Sequence, residues 1–301
     1  MNKGLHARIA LASLLVLTAF LTTSCIYIGN HVEMARCEKE VSLSAPLQPG
    51  SSFSANTGDG SIIVKGLDTT ECRVMAKIVT HARTQEAAEE LAQRIDVRLE
   101  PSGGGLKVVI DKPPVVTNAY FGVSLDADVP ARTRLALETS DGAVRIANVT
   151  GTIDAKTSDG SIEAEGLNGD VKLRTSDGGI TVNDVRGDSL DLHTSDGSIR
   201  CRNVLAARMD CHTSDGAIEI EFAPDAPKAI HVNATTSDGS ITLTVPPGLS
   251  AAIEANTDDG SIHTHLPITV QGKIGKSVHG TVGAGEGKIY LKTSNGSITI
   301  R

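Results

Sequence analysis

The sequence predicts an all-β chain wound as a parallel β-solenoid of about 18–19 residues per coil, with a small α+β insertion near its start. Three observations predict this. First, a hexapeptide close to T-S-D-G-S-I recurs nine times, beginning at Thr57, Thr139, Thr157, Thr175, Thr194, Thr213, Thr236, Thr257 and Thr293. From Thr139 onward the starts lie 18, 18, 19, 19, 23, 21 and 36 residues apart, and a near-constant internal period is the mark of stacked repeats. Second, apolar residues alternate with polar ones between the hexapeptides, which is the period of a strand. Third, the chain has no Trp, 3 Tyr and 4 Phe, yet 40% of it is hydrophobic. That composition suits a narrow interior of Val, Ile, Leu and Ala.

Each unit reads as two short strands joined by an SDG turn. In one unit Ile153, Ala155 and Thr157 share a face with Ile162 and Ala164, and Leu167 closes the unit. A second turn falls near Asn168–Gly169 or Arg186–Gly187. An antiparallel meander with Asp-Gly hairpins has the same parity, but about fifteen such strands would leave one long apolar face uncovered, and open sheets rarely exceed ~10 strands. A solenoid buries that face against itself. Thr then falls inward, its hydroxyl placed for a neighbouring coil and its branched Cβ suited to a strand. Asp is expected to accept from nearby backbone amides, and Gly to supply a positive φ.

After the first coil (Phe53, Ala55, Thr57, Ile62, Val64, closed by Leu67) the next hexapeptide starts 82 residues beyond Thr57. Into that gap fit a strand through Cys72–Ile78, a helix from an N-cap at Thr84 to about Arg94, and a hairpin turning at PSGGG. One more alternating strand, Phe121–Val129, completes the insertion. At the far end a glycine-rich loop precedes a last coil, KIYLKTSNGSITIR. The expected divisions are 1–24 a signal peptide, 25–50 a tether, 51–134 the first coil with its insertion, and 135–301 the repeat array.

The start of the chain, basic at Lys3 and Arg8 and apolar from Ile9 to Leu21, has the two parts of an export signal. It is too short for a comfortable span of ~20 residues. Small residues directly before Cys25 resemble a bacterial lipoprotein signal, although Thr22 stands where an aliphatic residue is usual. That resemblance implies a lipid on Cys25 and attachment to a membrane of the bacterial envelope, the outer rather than the inner one where two exist. Loss of Lys3 and Arg8 with no acid moves the net charge from −8 to −10, a poor balance for nucleic acid. Export permits disulfides, and Cys37 and Cys72 are the candidate pair. Cys201 and Cys211 fall in core positions.

The early F-x-A-x-T-x-DGSI coil, the repeated T-S-[DN]-G-S-I units and the closing KIYLKTSNGSITI together resemble a family of bacterial envelope proteins of adhesin type and unknown function, over about Phe53 to Arg301. The resemblance implies a right-handed parallel solenoid. It implies no ligand and no catalytic residue.

Two surface features could carry chemistry. Stacking would align the turn aspartates, among them Asp159, Asp177, Asp196 and Asp215, in a row that could hold calcium; without further ligands per site the favoured reading is turn residues, and no cofactor is expected. Lys156, Arg174, His193 and His212 would form an outward stripe suited to an acidic glycan or phosphate. His193 and His212, beside Asp191 and Asp210, could also hold a metal ion. A mixed solvated face is the plain alternative, because Asp154, Asp191 and Asp210 stand in the adjoining column. A carbohydrate-active enzyme is disfavoured by the lack of clefts and aromatic platforms. The sequence therefore points to a non-enzymatic surface-binding module whose partners are the membrane, a surface glycan or protein, or a second copy. A structural or stress-related envelope component without a ligand is the runner-up.

Overall fold

The structure, a computed structural model, describes residues 18–24, 34–114, 118–270 and 275–301. Residues 1–17 and Cys25 lie outside them. The stretch Thr18–Ser24, expected at the end of a removable leader, stands as a strand antiparallel to Ala35–Pro46. Ala35–Pro46 is thus a 12-residue strand inside the segment read as a tether, and it buries Val41, Leu43 and Ala45.

Parallel stacking is the rule from the first coil onward. In the first sheet Ser52–Asn56, Arg134–Glu138, Ile153–Lys156 and Val171–Arg174 lie side by side in register. The later halves of Ile180–His193 and Ile199–His212 continue that row, and His231–Thr235 follows. In the second sheet Ile62–Leu67, Val144–Ala147, Ile162–Asn168, the earlier halves of the same two long strands, Ile218–Phe222 and Ile241–Thr244 do likewise. The hexapeptide joins the sheets at one border. At the other, Asn148, Asp184 and Asn203 adopt φ of 59°, 55° and 55°, and Gly166 adopts 63°. Asn and Asp are the side-chain-bearing residues that best tolerate this left-handed bend.

The alternation becomes columns of like residues. Ile162, Ile180, Ile199, Ile218 and Ile241 stack rung on rung and are almost completely buried. Each such side chain contributes about 1.5–3 kcal/mol by leaving water. Strands spaced ~4.8 Å apart and sheets ~10 Å apart leave room for aliphatic side chains and little need for aromatic rings.

All nine repeated threonines are buried. Thr157 Oγ1 lies 3.0 and 2.9 Å from the carbonyls of Ser140 and Gly142, one coil back, to which it donates, and it accepts from the Gly160 amide at 3.2 Å. Thr175, Thr194, Thr213 and Thr236 repeat the arrangement. The expected role of the glycine is corrected. None of the hexapeptide glycines has a positive φ; instead a methyl group at Gly178 would overlap the carbonyl oxygen of Gly160, and one at Gly197 that of Gly178. Glycine is required because successive turns pack backbone on backbone. The expected bonds from backbone amides to turn aspartates are also absent among the described residues, where the Ser and Asp amides reach the preceding coil's Ser carbonyl instead.

The insertion matches expectation in its elements: Glu71–Ala82, the helix Gln85–Gln93, the hairpin Asp96–Ser102 with Gly105–Asp111, and Tyr120–Pro130. Thr84 caps the helix by accepting from the Ala87 amide at 3.2 Å. Lys39 ties the helix end to the neighbouring strand through the Ala92 and Ile95 carbonyls, 3.3 and 3.0 Å away, a favourable place for a cation. Tyr120–Pro130 runs parallel to the first coil, and Glu71–Ala82 and Ala35–Pro46 continue antiparallel beyond it. Leu67, expected to close the first coil, is 45% exposed: alternation runs unbroken through Gly66, whereas the left-handed bend at Gly166 turns Leu167 inward.

The order of coils departs from the order of the chain. Gly287–Thr293 pairs with His231–Thr235 on one side and with Ala251–Thr257 on the other, both parallel. Likewise Ile298–Ile300 lies between Ile241–Thr244 and Ile262–Thr264. The last segment is therefore inserted one coil in from the end, and Ser277–Val282 covers the outer edge antiparallel. Pro246 and Pro247, which cannot donate ladder bonds, mark where the chain leaves the stack and skips a rung.

Candidate functional site

The residue before each buried threonine must face outward, because side chains alternate along a strand. Register aligns Lys156, Arg174, His193, His212 and Thr235 in one column. The structure thus assembles the predicted stripe and shows how it is satisfied. Arg174 forms an ion pair with Asp191 at 2.7 Å. The His193 and His212 rings stack with centroids 4.8 Å apart, and His212 Nδ1 is 2.7 Å from Thr235 Oγ1. Burial, then His212 and Arg174, hold the His193 imidazole below its usual pKa against the pull of Asp191 and Asp210. Stacked rings do not aim nitrogens at a common point, and no group of three His, Cys, Asp or Glu side chains converges for a metal among the described residues.

The turn aspartates, including Asp159, Asp177, Asp196 and Asp215, are exposed and follow one border of the stack. Insertion of the last segment interrupts that row, because Asn295 lies between Asp238 and the Asp259 turn and donates to Asp238. The Asn thus supplies a donor where another Asp would add repulsion. Cys37 and Cys72 are not brought together: Cys37 is opposite Thr80, whereas Cys72 is opposite Ala45, eight positions along the strand. That separation far exceeds the ~6 Å that a disulfide spans between Cα atoms. Burial, with Asp128 and Glu71 nearby, pushes the Cys72 thiol up to about 12, and a protonated thiol is inert. Cys201 and Cys211 are fully buried, as expected.

Sequence reasoning missed what the inserted strand adds. Lys292, from the last segment of the chain, follows Thr235 in the stripe, and Tyr290 follows Asn233 in the adjoining column. A third outward column runs Ser189, Arg208, His231, Lys288. Between the second and third columns lies a depression of about 430 Å³. The one sequence signal for this was the final separation of 36 residues, twice the coil length. A larger cleft of about 540 Å³ sits where the insertion meets the first coil, lined by Leu91, Val108, Ile110, Tyr120 and Phe121.

These features define a parallel β-solenoid with a closed aliphatic core and a flat, polar outer face. Residues 167–301 match the family model described as Toastrack DUF4097, a domain of unknown function, in keeping with the resemblance read from the repeats. No curated protein matches the chain. Among solved structures, the chain is similar to a "putative cell adhesion protein" from Clostridium sporogenes (13% identity, 86% of this chain and 97% of that one, TM-score 0.25). It is also similar to a "putative lipid binding protein" from Parabacteroides distasonis (13% identity, 87% and 96%, TM-score 0.46). At those scores neither relative contributes to the functional reading.

Proposed function

We propose that the chain is a non-catalytic binding module of a bacterial envelope, exported under its N-terminal segment, lipid-anchored at Cys25 and presenting the outer face of its first sheet to a surface glycan or protein. The observation that carries this reading is the registered face itself. Parallel strands hold polar side chains in fixed columns ~4.8 Å apart, so the face offers a rigid, repeating array whose ordering entropy is already lost on folding. Catalysis by paired carboxylates needs an enclosed cleft, and the turn aspartates stand instead on an exposed border.

One observation favours a second reading, a stiff envelope component without a ligand. Arg174 is occupied by Asp191 and His212 by Thr235, so half the predicted stripe is satisfied internally. The two readings separate in one experiment. The mature full chain, purified in detergent, is applied to glycan arrays and to solubilised envelope extract. A binding module retains a defined ligand, and joint replacement of Lys156, Arg174, His193 and His212 by Ala weakens that retention. No retention from either source contradicts the binding reading. Anchoring is checked by fractionation: Cys25→Ser is expected to release the protein from membranes, and unchanged membrane association would rule out the lipid.

A further inference from the structure

We infer that the depression beside the inserted strand, flanked by Arg208, His231, Lys288 and Tyr290, is a subsite for an acidic saccharide chain; this deepens the binding reading above and rests on it. Arg208, His231 and Lys288 occupy successive rungs of one outward column and are all exposed. They therefore repeat every ~4.8 Å, close to the length of one sugar ring in an extended chain. Among the described residues neither Arg208 nor Lys288 has a carboxylate within ion-pair distance, in contrast to Arg174 and Arg145, which are held by Asp191 and Glu163 at 2.7 and 2.8 Å. The cations of this column are thus uncommitted, whereas those of the predicted stripe are partly spent.

The neighbouring column supplies what a sugar needs besides charge. Tyr290 is half-buried beside Asn233 and offers a flat ring to the C–H face of a pyranose. Asn233 Nδ2 donates to the Asp210 carboxylate, its oxygens 3.3 and 3.4 Å away. The amide keeps its own acceptor oxygen, and the carboxylate accepts from hydroxyls. The exposed Asp210 carboxylate at the rim disfavours a phosphate-rich polymer and suits a ligand that carries hydroxyls between its acidic groups. The depression of about 430 Å³ is within the range of small-ligand sites. Only insertion of the last segment creates it: in chain order the strand beside His231 and Asn233 would be Ala251–Thr257, which offers Ala252 and Glu254 in place of Lys288 and Tyr290.

The test is titration calorimetry of the mature full chain with oligogalacturonate, with dextran as the neutral saccharide and inorganic phosphate as the free anion. Oligogalacturonate binds, and affinity falls with salt as exposed charges are screened. Tyr290→Ala and the double substitution Arg208→Gln with Lys288→Gln each weaken it about tenfold, as loss of an anchoring side chain does. Arg145→Ala, an exposed change on the other sheet, leaves it unchanged. All four side chains are at the surface, and an unchanged melting temperature shows that the variants are folded. Dextran or phosphate binding as tight as oligogalacturonate overturns the inference, as does a Tyr290→Ala chain that binds normally. Oligogalacturonate failing to bind while the envelope extract yields a ligand defeats this subsite and leaves the binding module standing. Failure of both defeats the module.

Discussion

The middle of the stack and its two ends obey different rules. From Arg134 to Thr244 each coil lies on the coil made just before it, so a residue's neighbour is found 18 to 23 positions away. At the ends the neighbour comes from far along the chain. Thr139 rests on Gly60, 79 positions back, and Thr293 on Gly239, 54 positions back. The buried chemistry is nonetheless the same: an inward threonine and a glycine packed against the turn below it. The difference teaches that the hexapeptide is a local adhesive for turns, indifferent to which segment supplies the next turn. Segment order changes where the chain leaves the stack at Pro246–Pro247, and Ser277–Val282 covers the outer edge that results.

The largest expected effect is steric. Gly178→Ala places a methyl group on the Gly160 carbonyl and should cost about 4 kcal/mol or more, since the backbone of two coils would have to move. The adjacent Gly179→Ala should be tolerated, because Ala143 and Ala217 stand at the same turn position in other coils. Urea unfolding of the pair decides it, and equal losses would refute backbone packing as the reason for glycine. Next comes the threonine ladder. Thr194→Val keeps the shape but orphans the Gly197 amide and the Gly178 carbonyl, for a loss of about 1–3 kcal/mol. Thr293→Val, at the inserted segment, should lose about the same, because its bonds to Gly239 and from Gly296 are the same. A much smaller loss there would break the likeness between middle and end.

Smaller still is a dependence on pH. With the folded-state pKa of His193 lowered, folded and unfolded chains are both neutral at this site well above the ordinary value of ~6.5. As pH falls through that value, the unfolded chain takes up the proton first, so stability drops on the acid side. His193→Gln should flatten this decline, seen as a smaller difference between urea midpoints at neutral and mildly acidic pH. An unchanged decline would assign it to other groups. The smallest effect is at the turn aspartates: Asp196→Asn should shift stability by less than ~0.5 kcal/mol, and calcium should leave the melting temperature where it was. A rise with calcium, lost in the Asn variant, would make the row a metal ladder.

How much was legible follows from the same contrast. Where contacts are periodic, alternation of Ile, Ala and Thr announces which face is inside, and the stripe through Lys156, Arg174, His193 and His212 can be aligned by counting. What counting cannot show is partnership within the surface, such as Asp191 taking Arg174, because that depends on side-chain reach between columns. The roles of the SDG letters were half visible. Threonine's inward position follows from parity, but glycine's necessity comes from a backbone approach that no single coil contains. Lys288 and Tyr290 were invisible beside His231 and Asn233, since nothing local in KIYLKTSNGSITI says that the segment slides between two coils already made. Cys37 and Cys72 misled for a related reason. Flanking the first coil in sequence does not bring them together, because antiparallel register sets them eight positions apart.

Insertion of the final segment joins the fold to the proposed saccharide site, and cross-linking in the second sheet tests it away from that site. Thr242 and His263 each neighbour Thr299, so they lie two strand spacings, ~9.6 Å, from one another. With Thr242→Cys and Thr299→Cys, a thiol reagent that spans one spacing is predicted to join the two positions efficiently, while Thr242→Cys with His263→Cys stays unlinked. Efficient linkage of 242 to 263, with none between 242 and 299, would contradict the account.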